Sequence, residues 1–335
     1  MKRVGYLTER IADTDNLLLA FHKAKRGKQY KKEVIEFTEN LDYNITKLQN
    51  EIMTGNVSVG KYHQFTIIDP KKRNVYAAAF DERVLHHAII NVCHEYFERN
   101  FICDTYATRI DKGVYKALDK ARKAANRYKY VAKLDFRKYF DTISHDVLKE
   151  KLERIYKDQN LLKIFSQIID TYSVGDGKGI PIGNLTSQYF ANYYLSSLDH
   201  YIKEELRIPV YVRYMDDMLM FDDDRVRLKE CVKAVNSYSV EKLRLKLKAP
   251  IIKSVEDTVS FLGYKIGKNI VLLNSRSRNR FCRKMLRCER LLSKGIWSEK
   301  EYQSHVLPLM AFVKYAYTKR MRKRIIERMK IEEGL

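Results

Sequence analysis

The chain has 335 residues, enough to bury a substantial core, and a hydrophobic content of 45% excludes disorder as the default state. A formal charge of +22 favours a polyanionic partner through its field and through counterion release, and 24 Tyr and 14 Phe supply rings that stack on bases; together they point to nucleic acid. Five cysteines without CxxC pairs or framework spacing fit reduced thiols, and no segment reads as a signal peptide or membrane span, so the expectation is a cytoplasmic protein with no membrane role.

Only five prolines and 13 glycines punctuate the sequence, leaving no flexible linker between independent domains. Residues 1–60 read as helices with stops at Gly27 and Gly55. YHQFTIIDPKKRNVYAAAF (62–80) reads as strand, basic turn, strand, because β-formers flank a Pro-Lys-Lys-Arg corner. A helix follows over 81–101, its apolar positions including Val84, Leu85, Ile89, Val92 and Phe97. Residues 113–129 predict another, with a strongly basic outer face. KYVAKLDFRKYF (129–140) predicts a buried strand that ends at Asp135 and runs into a turn. Residues 145–172 read as helical, and 184–206 as one long amphipathic helix. PVYVRYMDDMLMFDD (209–223) has two apolar runs hinged on a carboxylate pair, a hairpin signature. Residues 227–243 return to helix, VSFLGYKI (259–266) reads as a strand, and the chain beyond about 270 as basic helix.

Three carboxylates stand out by position. Asp135 ends an apolar strand, while Asp216 and Asp217 sit at the hairpin tip. Adjacent aspartates at the ends of apolar strands repel each other and are costly to desolvate without a counter-charge. A third carboxylate sharpens that need, and an all-oxygen set suits two Mg²⁺ ions, with Mn²⁺ as an alternative. Such ions activate an attacking 3′-hydroxyl and stabilise departing pyrophosphate. Asp222, Asp223 and Asp224 read instead as an ordinary surface turn.

YMDD at 214–217, LDFRKYFD at 134–141 and GIPIGNLTSQ at 179–188, in this chain order, resemble the palm motifs of reverse transcriptases, and matching blocks run from about 62 to 268. The resemblance implies an α+β right-hand polymerase fold. Its parts would be N-terminal helices and fingers over 1–130, a palm over 131–268 with an antiparallel sheet and a helical insertion at 144–178, and a helical thumb over 269–335. It implies deoxynucleoside triphosphates as substrates and template RNA and cDNA as partners. By the same resemblance the metal-binding set maps onto Asp135, the Phe136 backbone, Asp216 and Asp217, the last in a lesser role. Phe140 falls where the family keeps an aromatic steric gate against a ribose 2′-hydroxyl, the alternative being a core aromatic. The hairpin at 62–80 matches the element that grips the incoming triphosphate. Arg73 is the choice for that contact because a guanidinium engages phosphate bidentately; Lys71 and Lys72 either assist or are solvated. Either Lys246 or Lys248 would act near the pyrophosphate, with no choice between them in the sequence, or both are ordinary surface residues.

Most of the family carries Gln-Gly and then Ser-Pro in the block that here reads Ile182-Gly183 and Ser187-Gln188. With DTYATRIDKGVYKA (104–117) and AAAFDERVLHHA (77–88), this pattern is similar to the reverse transcriptases of diversity-generating retroelements. Such enzymes copy a template-repeat RNA into cDNA with errors opposite adenines, and they work with a structured retroelement RNA and a small basic accessory variability protein. The resemblance therefore implies a bacterial or phage source. Ile182 offers shape without a hydrogen-bond donor, which is expected to lower fidelity; its alternative role is packing against the palm. Arg276, Arg278, Arg280, Arg283 and Lys284 recur at helical spacing and are expected to grip the template-primer backbone or the accessory protein, the alternative being a solvated charged face. No ribonuclease H carboxylate set, nuclease or zinc module is read, and His86 and His87 read as parts of a structural helix. A stand-alone reverse transcriptase of phage-defence or group II intron type, and a catalytically idle RNA-binding scaffold, remain the rival readings.

Overall fold

The computed structural model describes residues 3–68 and 72–332. They belong to two compact units, each assembled from separated stretches of chain. One comprises Met1–Gly113, Asp135–Arg207 and Cys231–Ala249; the other comprises Val114–Leu134, Ile208–Glu230 and Pro250–Leu335.

The first unit is mainly helical. Its opening segment forms helices Thr8–Ala12, Thr14–Lys25, Lys32–Glu39 and Leu41–Thr54, as the periodicity predicts. Gly55 ends the last of them in the left-handed region at φ +66°, where its missing side chain is an advantage. Asp158 fastens this segment: its carboxylate accepts from the amides of Leu7 and Thr8 and from the Thr8 hydroxyl, while it also caps the helix Gln159–Asp170. Strands β1 (Tyr62–Ile68) and β2 (Lys72–Ala78) pair antiparallel. The helix Phe80–Glu98 then runs through the core, burying Val84, Leu85, Ile89, Val92 and Phe97. The helical stretch after residue 144 is two helices, His145–Glu153 and Gln159–Asp170, rather than one.

The expected long helix over 184–206 is also broken. It divides into Leu185–Tyr194, Ser196–His200 and a π-turn at Tyr201–Glu205. Nor is it amphipathic, since Thr186, Ser187, Tyr189, Phe190, Asn192, Tyr193 and Tyr194 are all buried. Their polar atoms find internal partners: the Tyr194 hydroxyl donates to the Leu243 carbonyl, and Tyr193 donates to that of Lys151.

The second unit holds the central sheet. Strands β3 (Tyr130–Leu134), β4 (Val210–Tyr214), β5 (Asp217–Asp222) and β6 (Ile251–Ser254) form an antiparallel sheet in the order β4-β5-β3-β6. The sequence reading has no counterpart of β6, a short half-exposed strand with little alternation to mark it. The helix Val114–Arg127 lays its alanine-rich face on β4 and β5.

VSFLGYKI is not a single strand. Leu262 and Gly263 both have positive φ, +49° and +92°, and turn the chain tightly between β7 (Val259–Phe261) and β8 (Tyr264–Gly267). A further strand, β9 (Ile270–Leu273), precedes the expected basic helices, which are Ser275–Ser293, Glu299–Lys314 and Lys319–Glu332. Those helices close on Phe281, Met285, Val313 and Ile325. Asp222 also departs from the surface-turn reading: it is buried at the end of β5 and paired with Arg227 at 2.7 Å. Among the described residues no helix is long and apolar enough to cross a membrane. Helices joined to antiparallel sheets make this an α+β fold.

Candidate active site

In the second unit, β4 and β5 pair so that Tyr214 faces Asp217, leaving Met215 and Asp216 as a two-residue turn. Met215 stands at φ +52°, a conformation that disfavours any residue with a Cβ. Arg213, completely buried one residue before Tyr214, donates to the Met215 carbonyl at 3.1 Å and braces that turn. The Lys133 ammonium lies 3.1 Å from the Asp217 carboxylate and donates to the Ser260 carbonyl at 2.6 Å. A lysine in an otherwise apolar strand thus supplies a counter-charge to Asp217. Burial raises the Tyr214 phenol above its ordinary pKa, so it stays protonated at neutral pH.

In the first unit, Asp135 is held by the stretch that contains the LKLK motif. The Lys248 amide donates to the Asp135 carbonyl at 2.8 Å, the Arg137 amide donates to the Lys246 carbonyl at 3.0 Å, and Phe136 bridges to Leu247. The Lys248 ammonium pairs with Asp135 Oδ2. Of the two lysines of that motif, Lys248 is the one whose ammonium lies on the carboxylate. Asp135 Oδ1 is buried and accepts no hydrogen bond among the described residues. A buried carboxylate oxygen with an unmet acceptor beside an ammonium fits a hard divalent cation that takes oxygen ligands. Among the described residues no three His, Cys, Asp or Glu side chains gather into a metal-binding cluster.

The chain after Asp135 turns through Lys138, at φ +43°, into the short helix Tyr139–Thr142. The Tyr139 ring stacks on Phe136 at 5.7 Å, and its hydroxyl donates to the Ala191 carbonyl at 2.5 Å. Phe140 is half-buried with its ring edge on Tyr139, and its carbonyl accepts from the Ile180 amide at 2.9 Å. One ring neighbour and one backbone hydrogen bond thus hold Phe140, an arrangement that both the gate reading and the packing reading accommodate.

The Ile182-Gly183 segment is joined to the β-hairpin. The Tyr76 amide of β2 donates to the Ile182 carbonyl at 2.8 Å. Gly183, at φ +135°, abuts the same strand: a Cβ there would meet the Tyr76 carbonyl oxygen at 2.7 Å. The close approach that this glycine permits is that of β2. Ile182 itself is half-buried and Gln188 exposed, with Gln188 Oε1 3.5 Å from the Thr108 hydroxyl. Beneath the segment, buried Glu82 accepts from the Gly60 amide at 2.8 Å and lies 3.3 Å from His86, whose other ring nitrogen lies 3.0 Å from the Thr186 hydroxyl. His86 is a structural residue, as its sequence context suggests.

Arg73 is exposed on β2 opposite Ile67; Lys71 lies outside the described residues. On the helix Ser275–Ser293 of the second unit, Arg276, Arg278, Arg283 and Lys284 are exposed, whereas Phe281, Met285 and Cys288 are buried. Arg280 differs from its neighbours, being half-buried with its guanidinium over the Phe312 ring at 5.7 Å.

Sequence reasoning missed Lys133, Arg213 and Glu82. The first two have a visible signal, a single cation within the apolar strands YVAKL and VYVRY. Glu82 has none, since an acid in the first turn of a helix is usually solvated.

The model of the family described as "Reverse transcriptase (RNA-dependent DNA polymerase)" matches residues 64–266, more than half of the chain. The chain is similar to "Putative COX1/OXI3 intron 1 protein" of Saccharomyces cerevisiae, 21% identical over 209 residues, covering 58% of this chain and 25% of the yeast protein. It is also similar to "Protein YkfC" of Escherichia coli, 21% identical over 241 residues, covering 58% of this chain and 63% of that one. The chain thus spans less than two thirds of the length of either relative.

Proposed function

The chain belongs to the reverse transcriptase family, the RNA-dependent DNA polymerases, and we propose that it copies an RNA template into cDNA by nucleotidyl transfer at Asp135, Asp216 and Asp217. The observation that carries this reading is the β4–β5 hairpin, which holds Tyr214-Met215-Asp216-Asp217 in a two-residue turn within the family's matched span. Asp135 follows directly on β3, the strand paired with β5, in the order of the family's motifs.

In this reading Asp135, the Phe136 backbone, Asp216 and Asp217 would hold two divalent cations, Mg²⁺ or Mn²⁺, whose chemistry is to lower the pKa of the primer 3′-hydroxyl and neutralise phosphate charge. Lys133 and Lys248 supply counter-charge to Asp217 and Asp135. Lys248 then meets the charge of the departing pyrophosphate. Arg73 engages the triphosphate of the incoming deoxynucleotide, Phe140 excludes the ribose 2′-hydroxyl, and the exposed bases of the helix Ser275–Ser293 hold the template-primer backbone.

The finer reading is a reverse transcriptase of a diversity-generating retroelement, error-prone at adenines and working with a structured RNA and a basic accessory protein. The Ile182-Gly183…Ser187-Gln188 pattern supports it. In this reading the Ile182 backbone joins the segment to β2, through its carbonyl and the Tyr76 amide, and its side chain sets nucleotide fit. Losing one hydrogen bond to the nucleotide, worth roughly 0.5–1.5 kcal/mol, would relax discrimination by up to about tenfold. Ile182→Gln tests this by sequencing cDNA: adenine errors are expected to fall by that factor with synthesis retained, and an unchanged error spectrum refutes the role.

A further inference from the structure

In the first unit, the chain ahead of its first helix is pinned on both sides of Tyr6. The Val4 amide donates to the Ile155 carbonyl at 2.8 Å, the Lys157 amide donates to the Val4 carbonyl at 2.7 Å, and Asp158 accepts from Leu7 and Thr8. Between these anchors Tyr6 stands at φ +60°, an unfavourable conformation for a bulky residue, and is 83% exposed. A strained residue persists where its surroundings over-determine it, and such residues gather at ligand clamps. Tyr6 walls a cavity of about 440 Å³, within the range of roughly 300–1,000 Å³ that small ligands occupy. Lys157 lines it too: its stem lies across Gly5, where a Cβ would meet Lys157 Cγ and Cε at 3.0 Å, and its ammonium is 5.8 Å from the centre of the Tyr6 ring. The Asp158 carboxylate in the same wall is committed to the amides of Leu7, Thr8 and Leu161 and to the Thr8 hydroxyl. Glu9 is the other acid there, an acceptor suited to a sugar hydroxyl.

A cleft of about 220 Å³ adjoins this cavity, since residues 3–4 and 154–155 line the one as 5–6 and 157–158 line the other. Arg3, Arg99 and Arg154 converge in the cleft around Tyr96, and among the described residues no acid lines it. Arg3 donates to the Glu153 carbonyl at 3.5 Å, Arg99 to the Glu95 carboxylate at 2.9 Å and Arg154 to that of Glu150. Each of these bonds takes one N–H from a group that carries five donors. Arg99 and Arg154 follow the helices Phe80–Glu98 and His145–Glu153, where the helix dipole by itself favours a cation; Arg3 has no such reason to join them. Three residues of chain span at most about 10 Å, so the arginine cleft and the Tyr6 ring lie within reach of neighbouring nucleotides of one strand. Guanidinium forks beside an exposed ring match phosphates and an unstacked base, a pairing that a duplex, with its bases stacked on each other, does not offer.

We propose that residues 3–6, with the two cavities beside them, dock an unpaired stretch of RNA. One base stacks on the Tyr6 ring, and the adjoining phosphates meet Lys157 and the guanidiniums of Arg3 and Arg154. None of these residues belongs to the candidate active site. The choice of RNA over single-stranded DNA rests on the polymerase reading, in which the enzyme has an RNA to hold. Stacking on a ring tolerates any base, so the site selects for unpaired strand rather than for sequence.

The test titrates the full chain with labelled hexameric oligo(rA), in an excess of a blunt RNA hairpin that fills duplex-binding surfaces. Tyr6→Asn removes the ring while asparagine tolerates the left-handed backbone, so folding, checked by circular dichroism, is kept. Its affinity for oligo(rA) is expected to fall about 5-fold to 150-fold, with hairpin binding unchanged and Tyr6→Phe behaving as wild type. Arg3→Gln with Arg154→Gln should lower the salt slope of log affinity by about 1.4 between about 50 and 200 mM salt, and Arg3→Lys with Arg154→Lys should keep it. A hexamer carrying 4-thiouridine should photo-cross-link to the peptide 4–10. Unaltered oligo(rA) affinity in Tyr6→Asn, or no cross-link to that peptide, overturns the proposal. So does a loss confined to oligo(dA), which would mark a DNA site, or a loss of polyglutamate binding with RNA binding intact, which would mark a surface for an acidic protein. Because binding is read without synthesis, an inactive polymerase leaves this test intact.

Discussion

Gly183→Ala probes the joint between the β-hairpin and the segment that carries Ile182. The new Cβ would sit 2.7 Å from the Tyr76 carbonyl oxygen and 3.0 Å from Val75 Cγ1, and the first of these is backbone that no rotamer change relieves. The residue would also have to hold φ +135°, a region L residues rarely adopt, at a cost of about 1–3 kcal/mol. If β2 yields instead, the Tyr76–Ile182 hydrogen bond is lost, a net of about 0.5–1.5 kcal/mol. Combined, the joint should open more easily by roughly 2–4 kcal/mol. The hairpin residues from His63 to Ile68 are exposed, so opening detaches the hairpin without dissolving the core. Amide exchange at Tyr76 should therefore accelerate about 30-fold to 1,000-fold while the main thermal transition moves little. KM for deoxynucleotides should rise more than kcat falls, because Arg73 rides on β2. Wild-type exchange at Tyr76 in the alanine variant would refute the reasoning.

Lys151 is buried with its ammonium on the Ser197 hydroxyl at 2.6 Å, and burial, followed by the charge of Arg154, pulls its pKa from 10.5 down to about 8. That drop corresponds to roughly 3 kcal/mol against folding at neutral pH. Lys151→Met should stabilise the protein by about 2 kcal/mol after loss of the serine bond. The unfolded chain holds the proton more tightly between pH 8 and 10.5, so wild-type stability rises through that window and the advantage of the variant shrinks; denaturant titrations at pH 7 and pH 10 check both. His87 has its pKa lowered from 6.5 to about 4, by burial first and then by Lys23, His86, Lys28 and Arg83. The unfolded imidazole binds the proton first, so this group costs stability as pH falls from 6.5 towards 4, and His87→Gln should flatten the fall in Tm over that window.

The order of helices, the β-hairpin at 62–80, the strand ending at Asp135 and the YMDD turn were all legible, because each has a strong period or a turn signal at its end. The helix over 184–206 misled for a physical reason: tyrosines and small polar residues read as a solvated face, yet they bury polar atoms against internal partners, as Tyr194 does with the Leu243 carbonyl and Thr186 with His86. The β7–β8 turn was hidden because Leu262 occupies a position where asparagine or glycine would announce a turn. At the site, the aspartates were visible, Lys248 stood only as one of two candidates, and Lys133 was missed. Lys133 and Lys248 meet carboxylates 84 and 113 residues away in the chain, and such pairings are decided by strand register rather than local pattern. Arg280 shows the same limit, since helical spacing cannot tell an arginine laid on Phe312 from its solvated neighbours.

The central claim is RNA-templated synthesis at the aspartates. It is tested most directly by primer extension on an RNA template, with Mg²⁺ and deoxynucleotides, comparing the purified chain with its Asp216→Asn, Asp217→Asn variant. The account predicts cDNA from the wild type and a fall of at least about 10³-fold in the folded variant. Equal synthesis by the variant would contradict it.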